Sequence, residues 1–199
     1  MTDAALLLVM WWAMMLAMML PSAAPMILLF AAVTRRKGAA GGSPGPATGL
    51  FVGAYAVVWG GFSVAATAVQ WGLDGAATGL RDPRLVGGLL VLAGLYQLTP
   101  WKHVCLRRCR SPLDFLLTRW RSGPGGAFAM GVEHGAYCLG CCWMMMTLLF
   151  IAGAMNLAAV AAIASFVLVE KVAPAGHWIG RLAGVGLVGA GSWLLLGRV

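Results

Sequence analysis

Charge is what this sequence lacks most. Only 10% of its 199 residues are Asp, Glu, Lys or Arg, and just six are acidic, where a soluble domain carries about 25% charged residues. With 61% hydrophobic residues and a mean hydropathy of +0.86, the composition excludes an ordinary soluble globule and suits a chain solvated by lipid. The sequence has no G-x-x-x-x-G-K-[ST] loop and no D-K-T-G-type aspartate, so nucleotide-driven pumping has no support. Cysteine is also scarce. There are five in all, and their placement becomes the central question below.

Apolar stretches are abundant. Crossing a hydrocarbon core takes about 20 residues, and six segments approach or exceed that length: about 4–33, 48–71, 85–101, 127–151, 156–169 and 179–196. The first holds Pro21 and Pro25, which predicts one kinked span or a span with a half-turn return. It carries Asp3, lacks a basic n-region and runs past any plausible cleavage point, so it is expected to stay in the mature chain rather than act as a signal peptide. The expected fold class is an all-α membrane protein. It is a bundle of about six transmembrane helices in a single integral membrane domain over residues 1–199.

The net charge of +8 reads as topology. Arg35, Arg36 and Lys37 follow the first span, Lys102, Arg107, Arg108, Arg110, Arg119 and Arg121 the third, and Lys171 and Arg181 flank the fifth-to-sixth connection. These are 11 of the 14 basic residues, and only Arg81, Arg84 and Arg198 fall on the other side. The positive-inside rule then puts the odd-numbered loops in the cytoplasm and both termini outside, and nucleic acid is not an expected partner. Gly38–Ala47 reads as a flexible connector. Within Lys102–Gly126, the alternation of Leu113, Phe115, Leu116, Leu117 and Trp120 with charges predicts one amphipathic helix on the cytoplasmic surface, ended by Gly123–Gly126.

Three of the five cysteines lie in "YCLGCCWMMM", Tyr137–Met146. Residues at i, i+3, i+4 and i+7 share a helix face, and Cys138, Cys141, Cys142 and Met145 have that spacing, with His134 one turn earlier. The first span adds "MWWAMMLAMMLP", in which Met14, Met15, Met18 and Met19 form two adjacent rows, just before two prolines that free carbonyls. Cys105 and Cys109 share a face at the cytoplasmic exit of the third span if a helix continues past Pro100. Their basic neighbours would lower the thiol pKa, and His103 lies beside them. Glu133 and His134 are the ionisable residues within a span.

Methionine fills gaps and free cysteine is often simply buried, so a non-catalytic scaffold whose sulfurs only pack stays open. Cys138-Leu-Gly-Cys141 is also a CxxC, which keeps a membrane thiol–disulfide oxidoreductase open. A mid-span position in low dielectric disfavours a working dithiol. Thiolate with thioether suits Cu(I), whereas thiolate with imidazole also suits zinc, and the methionine enrichment favours copper.

Three blocks, "WWAMMLAMMLPSAAPM", "YQLTPWKHVCLRRCRSP" and "GVEHGAYCLGCCWMMM", followed by "GAMN" and a later Glu170-Lys171, resemble a family of bacterial predicted metal-binding integral membrane proteins. The resemblance spans nearly the whole chain. That family includes a membrane copper chaperone serving a tyrosinase, so the resemblance implies copper handling, with a copper enzyme as recipient in at least one member. The residues themselves are read as an inner-membrane protein with a copper enzyme or another copper carrier as partner. The expected ligands are Cys138, Cys141 and Cys142 as a high-affinity centre. Met145, Met14, Met15 and Met18 are expected as thioether steps, His134 as auxiliary, and Cys105 and Cys109 as a cytoplasmic entrance or exit.

Overall fold

The computed structural model describes residues 3–37, 44–74 and 82–197, and among them it is helical with no strand. In chain order the helices are α1 (Ala4–Lys37), α2 (Pro44–Asp74), α3 (Pro83–Leu98), α4 (Pro100–Arg110), α5 (Pro112–Arg119), α6 (Gly123–Thr147), α7 (Leu149–Ala152), α8 (Leu157–Val172) and α9 (Gly176–Leu196). All six apolar stretches of the sequence are helical. Four of the helical stretches, α1, α2, α6 with α7, and α9, are long and apolar enough to cross a membrane. At 16 residues each, α3 and α8 fall short of the roughly 20 that a span takes.

The prolines of α1 do not break it: the helix runs 34 residues through Pro21 and Pro25, which decides between the two readings of the first segment. Pro100 acts differently. The residue before a proline is pushed to extended backbone, and Thr99 sits at φ −70°, ψ 147°. It closes α3 and also caps α4, accepting a hydrogen bond from the Lys102 amide. The Cys105/Cys109 face therefore belongs to a separate helix and not to a continuation of the third span.

Two loop expectations are corrected. Residues 38–43 of the Gly38–Ala47 connector lie outside the described residues, and Pro44–Ala47 form the first turn of α2, where proline costs no hydrogen bond. The stretch from Leu113 is the short helix α5, which Pro112 starts after Ser111 and Trp120 caps. Gly123–Gly126 open α6 instead of ending a helix, Gly123 taking a positive φ of 81° that glycine alone adopts freely. On α5, Leu113 and Leu117 are exposed, but Phe115 and Leu116 are buried with Met26, Phe30, Phe51 and Met130. Arg81 and Arg198 of the charge map lie outside the described residues.

Small residues set the helix spacing. A Cβ on Gly94 would lie 2.5 Å from the Gly184 carbonyl, and one on Gly191 would lie 2.6 Å from the Gly87 carbonyl, so α3 and α9 meet backbone to backbone. Gly131 and Gly135 bring α6 as close to α2, against Phe51 and Val58. The α1–α2 contact is pinned by Trp11 Nε1 donating to Gln70 Oε1 at 2.6 Å and Trp12 Nε1 donating to the Ala56 carbonyl at 2.9 Å. These contacts leave a buried core in which α1, α2, α4, α6 and α8 all contribute side chains.

Candidate metal centre

The core is built around Cys138. Because α6 is an uninterrupted helix over Gly123–Thr147, Cys141 and Cys142 lie one turn above Cys138. Their Sγ atoms donate to the Cys138 carbonyl at 3.1 and 2.9 Å. All three cysteines are 1% exposed and none is in a disulfide. Sulfur arrives from two other helices. Met19 of α1 places Sδ 3.8 Å from Cys142 Sγ, and Cys109 of α4 places Sγ 3.9 Å from Cys141 Sγ. The result is a sulfur cluster contributed by α1, α4 and α6, buried except at Cys109, which is half-buried.

A cation sits in this cluster. Lys171 Nζ, at the end of α8, donates to Cys138 Sγ at 3.0 Å and to Ser22 Oγ at 3.0 Å. On its other side Cys138 Sγ lies 3.1 Å from the Tyr55 hydroxyl. An ammonium at this distance stabilises negative charge on the sulfur, and low dielectric magnifies the effect. Lys171 was expected to be a cytoplasmic loop charge, and it is buried instead. The same holds for Lys102, whose ammonium bonds Glu170 and Gln97 inside the protein. The fit is tight: a Cβ on Gly180 would strike the Glu170 carboxylate, and one on Gly176 the Glu170 carbonyl. Arg110 closes the end of α8 by donating to the carbonyls of Glu170, Ala173 and Pro174, groups a helix C-terminus leaves unpaired.

The sequence-derived ligands separate into groups. Cys138, Cys141 and Cys142 converge, and Met15, Met18 and Met145 are buried in the same core. Met14 is half-buried at its margin. Cys109 comes within 3.9 Å of Cys141 in the cluster. Cys105 stands at its edge, where a Cβ on Gly140 would lie 2.8 Å from its sulfur. His134 is ringed by Phe51, Tyr55 and Phe115, with centroids 6.0, 6.0 and 5.7 Å away. Its Nδ1 is buried without a hydrogen-bond partner. Glu133 pairs with Arg119 of α5 at 3.4 Å. Among the described residues no three His, Cys, Asp or Glu side chains form a ready-made metal cage.

The expectation that basic neighbours lower the thiol pKa of α4 is reversed. Burial, then the neighbouring Cys141, pushes the Cys105 thiol up. Hydrogen bonds with Cys138 and Cys141, followed by burial, push the Cys109 thiol well up. The arginines of α4 instead line a groove on the side facing α9. In that groove, burial and the nearby Arg181, Lys102, His177 and Arg107 hold the His103 imidazole below its ordinary pKa.

Sequence reasoning missed Lys171, Lys102, Tyr55 and Met19 as site residues. A signal existed for the first: Glu170-Lys171 is the only charged pair in the otherwise uncharged α8, and ionisable residues inside apolar helices are functional by default. Over residues 8–194 the sequence matches the family model PpoB2, whose description is copper chaperone. No curated protein and no solved structure matches the chain.

Proposed function

Because the chain belongs to the PpoB2 copper chaperone family, we propose that it is an integral membrane protein that holds Cu(I) on buried sulfur and passes it to a copper enzyme or a further copper carrier. The observation that carries this reading is the convergence of Cys138, Cys141, Cys142 and Met19 in a buried core, with the half-buried Cys109 at its edge, from three helices. Soft thiolate and thioether donors in such a setting suit Cu(I), and the thioether beside Cys142 favours copper over zinc.

In this reading Cys138, Cys141 and Cys142 hold the metal, with Cys109 and Met19 as additional donors. Met145, Met14, Met15 and Met18 are thioether steps along the core, His134 is an auxiliary ligand, and Cys105 is a step at the α4 edge. Copper is cargo: it moves by exchange of one sulfur for another, and the chain's part is binding and release rather than catalysis. Lys171 is the internal cation that the metal must displace from Cys138. The protein lies in a bacterial inner membrane with both termini outside, a reading supported by the long apolar helices and by the basic residues of α4 and α5.

The test is the copper content of the purified protein under reducing conditions, compared with Cys138→Ser, Cys141→Ser and Cys142→Ser. Copper in the wild type that is lost in the variants supports the proposal, and copper-free wild type refutes it.

One observation favours a second reading. Lys171 gives Cys138 the neighbouring cation that a reactive thiol uses, so a thiol–disulfide exchanger based on Cys138 and Cys141 has a physical basis. Against it, both sulfurs are sealed from any protein partner. Trapping a Cys138–Cys141 or mixed disulfide under mild oxidation would support this second reading.

A further inference from the structure

A groove of about 1000 Å³ lies between α4 and α9, and none of the proposed sulfur ligands lines it. Its walls carry His103, Arg107, Arg108, Arg110, His177 and Arg181, against one acid, Asp114. That carboxylate is already 3.5 Å from Arg108, and Arg110 is spent on the carbonyls that end α8. Among the described residues, no ion pair takes up Arg107 or Arg181, and Arg181 lies over the Trp178 ring at 5.3 Å. His103 Nε2 is buried with no hydrogen-bond partner. Cations gathered this closely repel one another, and an anion between them relieves that repulsion.

The rim chooses the kind of anion. Val104 is both a wall of the groove and largely exposed, and the exposed Trp178 ring lies against two further wall residues, 5.5 Å from the His177 ring and 5.3 Å from the Arg181 guanidinium. A site for a small free anion has no use for such flanks, whereas acyl chains do. Tryptophans beside a basic cluster are also what a membrane–water interface collects. We infer that this groove binds the phosphate of an anionic phospholipid, with the acyl chains lying along Val104 and Trp178. The inference rests on the membrane reading above but not on the copper ligands.

Native mass spectrometry of the full chain in detergent tests it, with phosphatidylglycerol and phosphatidylcholine of identical chains as probes. Phosphatidylglycerol is expected to be retained preferentially, excess inorganic phosphate should not displace it, and Arg107→Gln/Arg181→Gln should weaken retention roughly thirtyfold. Arg36→Gln, remote from the groove, should leave it unchanged. If the double variant fails to fold, Arg107→Gln alone should still weaken retention about fivefold. Equal retention of the two lipids, displacement by phosphate, or undiminished retention in the variants each overturns the inference. Copper content measured on the same samples keeps this outcome separate from the fate of the copper reading.

Discussion

Lys171 Nζ and Cys138 Sγ lie 3.0 Å apart in the protein interior. The lysine ends α8, the cysteine is at the middle of α6, and the same ammonium reaches Ser22 of α1, so one charge ties three helices to the central sulfur. A Cu(I) ion bound to Cys138 would meet that ammonium at close range, and like charges in low dielectric repel strongly. The account therefore gives Lys171 the role of easing release. Lys171→Met is expected to bind Cu(I) about tenfold more tightly, read by competition with a Cu(I) chelator. Weaker binding in the variant would instead show that the ammonium is needed to assemble the sulfur site.

The neighbouring pair makes a different prediction. Lys102 and Glu170 are both buried and bonded to each other. Removing one partner of a buried pair strands the other, at a cost of about 3–5 kcal/mol. Glu170→Gln should lower stability by that amount in thermal unfolding, and Lys102→Met/Glu170→Met should recover most of it. A double variant no better than the single would mean that the pair's geometry, rather than its charge balance, holds α4 to α8.

Helix contact through glycine is testable by size alone. Gly94→Val has no space against the Gly184 carbonyl and Val188, whereas Gly88→Val faces nothing within 4 Å. Overpacking costs about 1–3 kcal/mol, so the first variant should lose that much stability and the second almost none. Equal effects would contradict the α3–α9 contact.

Orientation can be checked from outside the cell. With the five cysteines replaced, Arg36→Cys at the exposed end of α1 should resist an impermeant thiol reagent added externally, because the account puts that end in the cytoplasm. Efficient labelling would invert the topology.

The sequence makes some of this legible and hides the rest for physical reasons. The face formed by Cys138, Cys141, Cys142 and Met145 follows from helical spacing, whereas the break at Pro100, inside the third apolar stretch, shows only in the extended backbone of Thr99. Spacing within one helix does not say which thioether meets a partner, so Met19, which reaches Cys142, is not distinguished by it from Met14, Met15 and Met18. Cys109 could not be brought to Cys141 without knowing that α4 is a separate helix packed on α6. Lys102 and Lys171 were read as topology charges because each lies at the end of an apolar stretch. Whether such a lysine meets solvent or is covered depends on the tertiary arrangement of α4, α8 and α9, where Gly176 and Gly180 let α9 close over Glu170.

The central claim is that copper sits on the sulfur gathered about Cys138, and X-ray absorption at the copper edge of the loaded, reduced protein tests it most directly. The account predicts Cu(I) bound chiefly by two or three sulfur neighbours, with at most one nitrogen from His134, a signature lost in Cys138→Ser. Copper surrounded by nitrogen or oxygen, or a sulfur signature unchanged by Cys138→Ser, would contradict it.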